Sequence, residues 1–472
     1  METALAASIT NLNSSPSVIK RHHLYPCYTS INSQKSPKYN CRYKNSVSFL
    51  TSCSTKPDTN KDNVTDPSSI DDPNLSSSIQ KLPVPTSTQA LSSVNSLFSR
   101  GLVFDLGQKN AWDSAEVGSP VVRRFLSDEE ERWYMWYHGN SGKNPGSDHI
   151  GLAVSSNGIH WERGEGAVQS SVDVGLVMNC SKDWWAFDTR GIRPGEVVVM
   201  SSSKIRANSA VYWLYYTGFS SEEAEVSDAL LKFKLENPER LLTCFGENNE
   251  NGGIGKIYKS LPGLAMSQDG RHWARIEGEH HSGALFDVGP DGDWDSLFIA
   301  SPQVVFHKSG DLRMYYHSFD LKTGHFAVGM ARSRDGMRWV KLGRIIGGGG
   351  SGCFNELGAV NAQVVKNKKD GTYVMAYEGV AADGKRSIGL AVSTDGLKDW
   401  KIQDSPVLKC SEEDGWDDKG VGSPCLVEMD GEKDEWKLYY RGIGKAGQIG
   451  IGMAVSSGSD ITSFRRCQGF HL

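Results

Sequence analysis

Acid is what the beginning of this chain lacks. Between Met1 and Pro57 the one acidic residue is Glu2, against seven Lys or Arg, in a stretch rich in Ser, Thr and Asn. A basic, hydroxyl-rich, acid-poor leader has the composition of an organelle transit peptide. Its charge-poor start, METALAASIT, favours the chloroplast, with the stroma as destination, over the mitochondrion. No apolar core of signal-peptide length follows that start, which excludes a secretory signal. Cysteine is scarce too: nine are scattered over 472 residues, with no CxxC and no His/Cys pairing at zinc spacing. That excludes a disulfide framework and fits buried thiols in a reducing compartment; neither a metal nor a cofactor is expected. No apolar run approaches the ~20 residues that span a bilayer, so no transmembrane segment is expected. Without the leader, 44 basic residues face 55 acidic ones, a net charge near −11. Such a surface argues against nucleic acid or an anionic membrane as partner. Nothing in the sequence fixes an oligomeric state.

Large apolar side chains are sparse from residue 58 to 95, where Ser, Pro, Asp and Asn dominate. A segment of this kind cannot offset its ordering entropy, so 1–57 is read as transit peptide and 58–95 as disordered linker. Residues 96–472 carry the aromatic-rich material of a core.

That region repeats itself. WDSAEVGSP begins at Trp112, WDSLFIASP at Trp294 and WDDKGVGSP at Trp416; weaker copies begin at Phe187 (FDTRGIRPG) and Phe354 (FNELGAVNA). Each copy continues with an apolar pair, a charged turn, an aromatic strand such as RWYMWYHG, and a small-residue strand such as IGLAVS. In four copies a tight turn and a Trp follow: SNGIHW, QDGRHW, RDGMRW and TDGLKDW. Asn-Gly and Asp-Gly predict type I′ hairpin turns, with positive φ at both central residues. Period-two patterning without helical competition makes each unit a four-stranded antiparallel meander. Five in tandem predict an all-β, five-bladed β-propeller preceded by a disordered N-terminal segment. The wide spacing from Phe187 to Trp294 is explained by an acidic insert at about 219–262 in blade two, with one helix-like stretch.

The W-D…S-P strand starts, YMWYHG-type strands and IGLAVSxDGxxW hairpins together resemble the arabinanase–invertase–levansucrase superfamily. Glycoside hydrolase family 43 and the mannoside phosphorylases look nearest. The resemblance spans about Phe104 to the C-terminus and implies a central pocket for a sugar or oligosaccharide. The sialidase Asp-box is a poorer fit, because the hairpins here are one residue shorter and the units number five. By position, the family's Asp, Asp and Glu correspond to Ser119, to the stretch Pro194–Gly195–Glu196, and to Ser301 or Gln303. The catalytic set therefore does not transfer by place.

In a propeller, inner-strand starts and second-strand ends converge on one rim, and positions where the copies diverge mark the working surface. The shared aromatic–Asp pairs are read as scaffold that packs between blades and fixes a turn. Glycoside cleavage needs one acid and one base or nucleophile with separated pKa values. The divergent carboxylates Glu116, Glu196, Glu356 and Glu378 are the catalytic candidates. Arg190, Arg193, His138, His317, Asn361, Gln303, Gln363, Asp418 and Arg441 are the substrate-binding candidates, with Arg193 suited to hold a carboxylate or phosphate. Trp136, Trp184, Trp185 and Tyr316 are candidates for stacking on sugar faces. Three functions follow: a plastid glycoside hydrolase or transferase, a non-catalytic carbohydrate-binding propeller, and a phosphate-using phosphorylase.

Overall fold

Why each unit becomes a sheet is visible in its burial. The second strands, such as Tyr373–Val380, are buried on both faces, and the third strands run small and apolar beside them. The computed structural model describes residues 100–126, 130–143, 146–200, 211–226, 241–242, 255–412, 415–429, 435–445 and 447–468, all within one unit, Pro83–Leu472. The stretches read as transit peptide and linker, and the helix-like stretch of the insert, lie outside the described residues. Among those described the chain is all-β, and no helix is long and apolar enough to cross a membrane.

Five antiparallel sectors follow one another. Sector one comprises Glu116–Leu126, Glu131–Asn140, His149–Ser155 and Gly175–Met178. Sector two comprises Gly191–Val199, Tyr212–Val226, Gly255–Ser267 and Ala274–Ile276. Its insert begins as a continuation of the hairpin, since Glu223 still pairs with Tyr258 and Leu241–Leu242 lies on Lys256 and Ile257. Sector three comprises Ala300–Lys308, Asp311–Asp320, His325–Ser333 and Trp339–Ile346. Sector four comprises Gly358–Lys366, Tyr373–Val380, Arg386–Ser393 and Lys401–Ile402. Sector five has Gly420–Glu428, Trp436–Ile443 and Ile449–Ser457, whose outer edge pairs both with Asp460–Arg466 and with the N-terminal Leu102–Phe104. A single parallel bridge, Phe326 to Gly358, joins sectors three and four. First strands pack in the order one, two, three, four, five and back to one.

One device recurs in all five sectors. The aromatic opening each motif lies on a second-strand Tyr: Trp112 on Tyr137, Phe187 on Tyr216, Trp294 on Tyr316, Phe354 on Tyr377 and Trp416 on Tyr440, with centroids 5.3–6.1 Å apart. That Tyr hydroxyl donates to the adjacent Asp at 2.9 to 3.0 Å in four sectors (Asp113, Asp188, Asp295, Asp417). In sector four Asn355 donates to Tyr377 instead, at 3.3 Å. Both partners belong to the same sector, so the pair braces that sector internally rather than packing between sectors as expected. Glycine is required beneath the aromatic: a Cβ at Gly442 would lie 2.3 Å from Trp416. Tyr316 belongs to this device and Trp136 is buried with its indole N–H on Gly270 O, so neither faces a ligand; Trp184 and Trp185 are exposed.

The turn expectation needs correction. In the four Asx-Gly turns only the glycine has positive φ (Gly158, Gly270, Gly336, Gly396, 66–79°), so they are not type I′. The Asx side chain holds the turn instead: Asp335 Oδ1 accepts Met337 N and Arg338 N, both at 2.9 Å. The turn glycine's carbonyl then takes a bond from the preceding sector: Tyr439 to Gly158, Trp136 to Gly270, Tyr215 to Gly336 and Tyr315 to Gly396. The first of these ties sector five to sector one.

Candidate functional site

Each inner strand carries a bulge just after its start. The turning residue there is Ser119, Ser301, Asn361 and Ser423 in four sectors, all with φ of 45–51°. Left-handed backbone at non-glycine residues is strained and tends to persist at working surfaces. In sector two the counterpart is Pro194, whose ring forbids that conformation. These five residues line a central cavity of ≈ 40 Å³. A water needs about 10–15 Å³ measured this way, so the channel admits waters and not a sugar ring. A larger ligand must therefore sit above it, at the mouth where the inner strands begin.

Below the turning residues, polar side chains tie neighbouring sectors into a belt. Arg123 donates to Val197 O at 3.0 Å and pairs with Glu196; Glu196 accepts from Gln303 Nε2 at 2.7 Å, which also reaches Val364 O at 3.0 Å. Gln363 Oε1 accepts Leu426 N at 3.0 Å, and Cys425 Sγ accepts Val122 N at 3.3 Å, completing the circuit. Glu196, Gln303 and Gln363 are thus placed in this inter-sector belt, away from the mouth. Glu356 accepts Gly352 N at 2.7 Å within its own loop, Asp418 accepts Lys445 N at 2.8 Å, and Arg190 lies over the Tyr258 ring at 5.1 Å. Arg190 also donates its backbone N–H to Phe219 O at 2.8 Å, the residue whose ring lies under the mouth residue Arg193.

The mouth brings together Glu116, His138, Arg193, Arg441, His317, Asn361 and Glu378. Glu116 Oε1 lies 3.3 Å from His138 Nε2, 3.2 Å from an Arg441 nitrogen and 4.0 Å from Arg193. Arg193 Nε donates to Asp148 at 2.6 Å. Across the mouth, Glu378 Oε2 accepts from Asn361 Nδ2 at 2.8 Å and Ser423 N at 2.9 Å, while Oε1 takes Arg386. Burial pushes the Glu116 carboxyl up, but the His138 bond and the Arg441 and Arg193 charges outweigh it and hold the group well below its usual value. Burial opposes and Arg386, Asn361 and Ser423 N likewise outweigh it at Glu378, which is also lowered. Burial first, then Arg193, depresses His138 and favours the neutral imidazole; because the Glu116 carboxylate only accepts, their 3.3 Å contact assigns the ring proton to Nε2. Among the described residues, His138 Nδ1 is then a buried acceptor that no protein donor reaches, and Arg441 Nε is a buried donor without an acceptor.

These lowered carboxyls carry a pH signature. Groups held below their unfolded pKa stabilise the fold above that value, about 4.3 for Glu, and the contribution is lost as pH falls through the folded value. Melting temperature should therefore fall between pH 5 and 3 in the parent, and Glu116→Gln should flatten part of that slope.

Asp148, Arg386 and Arg123 were missed by sequence reasoning. A signal for the first two existed: third strands also begin at this rim, and Asp148 and Arg386 stand at those starts.

No family model matches the chain, and no curated protein matches it either. Solved structures do. A structure described as a glycoside hydrolase aligns with 79% of this chain and 95% of its own at 14% identity and a TM-score of 0.50. An N-acetylgalactosamine deacetylase from F. plautii, solved with blood group B trisaccharide, is 14% identical over 77% of this chain and 96% of its own, with a TM-score of 0.49. A thermostable family-43 glycoside hydrolase is 18% identical over 72% of this chain and 89% of its own, with a TM-score of 0.47. The chain thus resembles, at low identity, the sheet-rich folds on which glycoside hydrolases are built, and at that identity the likeness is one of fold.

Proposed function

We propose that the chain is a carbohydrate-active protein of the plastid, a five-bladed β-propeller whose sugar site is the channel mouth. It acts there on glycosidic bonds by hydrolysis or transfer. The observation that carries this is a contrast: a scaffold that the sectors repeat converges on Glu116, His138, Arg193 and Arg441, which they do not repeat. The circular packing of first strands and the Tyr439 bond to Gly158 support the propeller. The likeness of fold to a glycoside hydrolase supports the ligand class, and the leader's composition supports the plastid.

Three mouth carboxylates (Glu116, Asp148, Glu378) face three arginines (Arg193, Arg441, Arg386). A charge-balanced set of fixed donors and acceptors suits neutral hydroxyls better than phosphate, which ranks the phosphorylase reading below the others. In hydrolysis or transfer Glu116, ionised and partly exposed, is the base or nucleophile. One observation favours the second reading, sugar binding without turnover. Glu116 and Glu378 are both held ionised, so neither is poised to protonate a leaving oxygen.

The test is the full chain with arabino-, xylo-, manno-, galacto- and fructo-oligosaccharides, with and without phosphate, read by product analysis and thermal shift. Turnover that falls at least ~10²-fold in Glu116→Gln, in a protein that stays folded and loses only the melting temperature owed to the Glu116 ion pairs, supports the enzyme. A thermal shift without product supports the binder. Neither product nor shift across the panel would remove both readings.

A further inference from the structure

The mouth is held by a hydrogen bond that recurs around the ring and fails at two adjacent places. In three junctions the N–H of the turning residue donates to the side chain ending the previous sector's second strand. Ser301 N reaches Thr217 Oγ1 at 2.8 Å, Asn361 N reaches His317 Nδ1 at 3.2 Å, and Ser423 N reaches Glu378 Oε2 at 2.9 Å. The other two junctions flank sector one. There the sequence makes the bond impossible. Arg441 stands where an acceptor is needed, and a guanidinium accepts nothing. Pro194 stands where an N–H is needed, and proline has none.

The consequence appears in the side chains. His138 occupies the register position of His317, opposite Gly118 as His317 is opposite Ala300. His317 Nδ1 is served by Asn361; among the described residues His138 Nδ1 is buried with no donor, and Arg441 Nε is buried with no acceptor. Orphaned buried polar atoms are uncommon in native folds, and at a cavity mouth each is a place for a water or a ligand group to bond. Both lie beside Glu116 and Arg193, and on the opposite arc Thr217, His317 and Glu378 are engaged in the clasp.

We infer that the ligand seats on the sector-one arc of the mouth, where a sugar hydroxyl donates to His138 Nδ1 and takes the place of the missing Pro194 N–H. Arg441, Arg193 and Glu116 bond neighbouring hydroxyls, and the opposite arc is structural. This rests on the proposal that the mouth takes a sugar, and it deepens it: His317, Asn361 and Glu378 hold the ring, whereas His138 recognises the ligand.

Two histidines at equivalent places provide the test. Glutamine retains a donor near the Nε2 position and deletes the Nδ1 acceptor, so His138→Gln and His317→Gln are made in the full chain. His317→Gln should lower the melting temperature by about 2 °C or more, because it strands Asn361 N. His138→Gln should leave it unchanged or raise it, because its Nδ1 serves nothing in the fold. Equal losses in the two variants would overturn the inference, whether or not any sugar binds. Titrated with whichever oligosaccharide of the panel shifts the parent, His138→Gln should bind about 10-fold more weakly and His317→Gln within about 2-fold. The reverse order would also overturn it. If no sugar of the panel shifts the parent, the proposed function fails, and the two melting temperatures still decide the division of the ring.

Discussion

Asn355→Asp should destabilise the protein by about 3–5 kcal/mol at neutral pH, the cost of a buried charge without a partner. The expectation comes from how the other sectors handle the same position. Asp113, Asp188, Asp295 and Asp417 each have 4% or less of the side chain exposed, and each meets a cation of its own sector or its outer strand. Arg163 lies 3.6 Å away, Arg275 2.7 Å, Lys341 2.9 Å and Arg466 2.9 Å. Three of those cations stand two residues after the turn's Trp, as in WER, WAR and WVK; sector four reads WKI there, with Ile402 at the same place. A neutral Asn355 and an apolar Ile402 therefore occur together. The double variant Asn355→Asp/Ile402→Arg should recover most of the loss, and denaturant melts of the four proteins measure the coupling. The pH dependence has a definite sign. Burial would raise the new carboxyl above its unfolded value of ~3.9, so the penalty exists only where the unfolded chain is ionised. The gap between Asn355→Asp and the parent should close as pH falls from 7 towards 4. A gap that stays constant would mean the cost is steric rather than electrostatic.

If the mouth works as proposed, Gly118→Ala should weaken it about 10²-fold while leaving a folded protein. A Cβ there would stand 2.5 Å from Arg441 Cδ and 2.7 Å from His138 Cε1, so both side chains must move. Overpacking of this kind costs about 1–3 kcal/mol, which a fold with so large a core survives. A displacement of about 1 Å in ligand-gripping groups costs about 10²-fold in turnover, and a similar loss of sugar affinity is expected. Gly422→Ala is the comparison at the clasp between sectors four and five, on the strand that pairs with Arg441, where the Cβ would come 2.1 Å from Glu378 Oε2 and disturb the Ser423 clasp. Its main effect should be on melting temperature. Comparable losses of sugar binding in the two variants would show that the whole rim, and not the sector-one arc, engages the ligand.

Much of the scaffold was legible because its information is local. The strands show in period-two runs, the turns in Asx-Gly pairs, and the aromatic–Asp device in five copies whose offsets agree. Even the correction at the turns is local: the Asp side chain caps two N–H groups, and one glycine suffices for the positive φ. The polar residues were another matter. His138 and Arg441 were chosen because they end second strands at the rim, and Glu116 because the copies diverge there; the three do meet at the mouth. Glu196, Gln303 and Gln363 were chosen by the same rule, yet they face a belt between sectors.

Divergence in the sequence thus selected the rim and the residues around it, because each strand carries its own pattern of burial. Which divergent side chain closes the ring and which is left for a ligand was decided by tertiary structure. The partner of each comes from the next sector, 84, 61 and 63 residues along the chain for Thr217, Gln303 and Gln363. A hydrogen bond depends on where both atoms lie, and the second atom's place is set only when the sheets assemble around the channel.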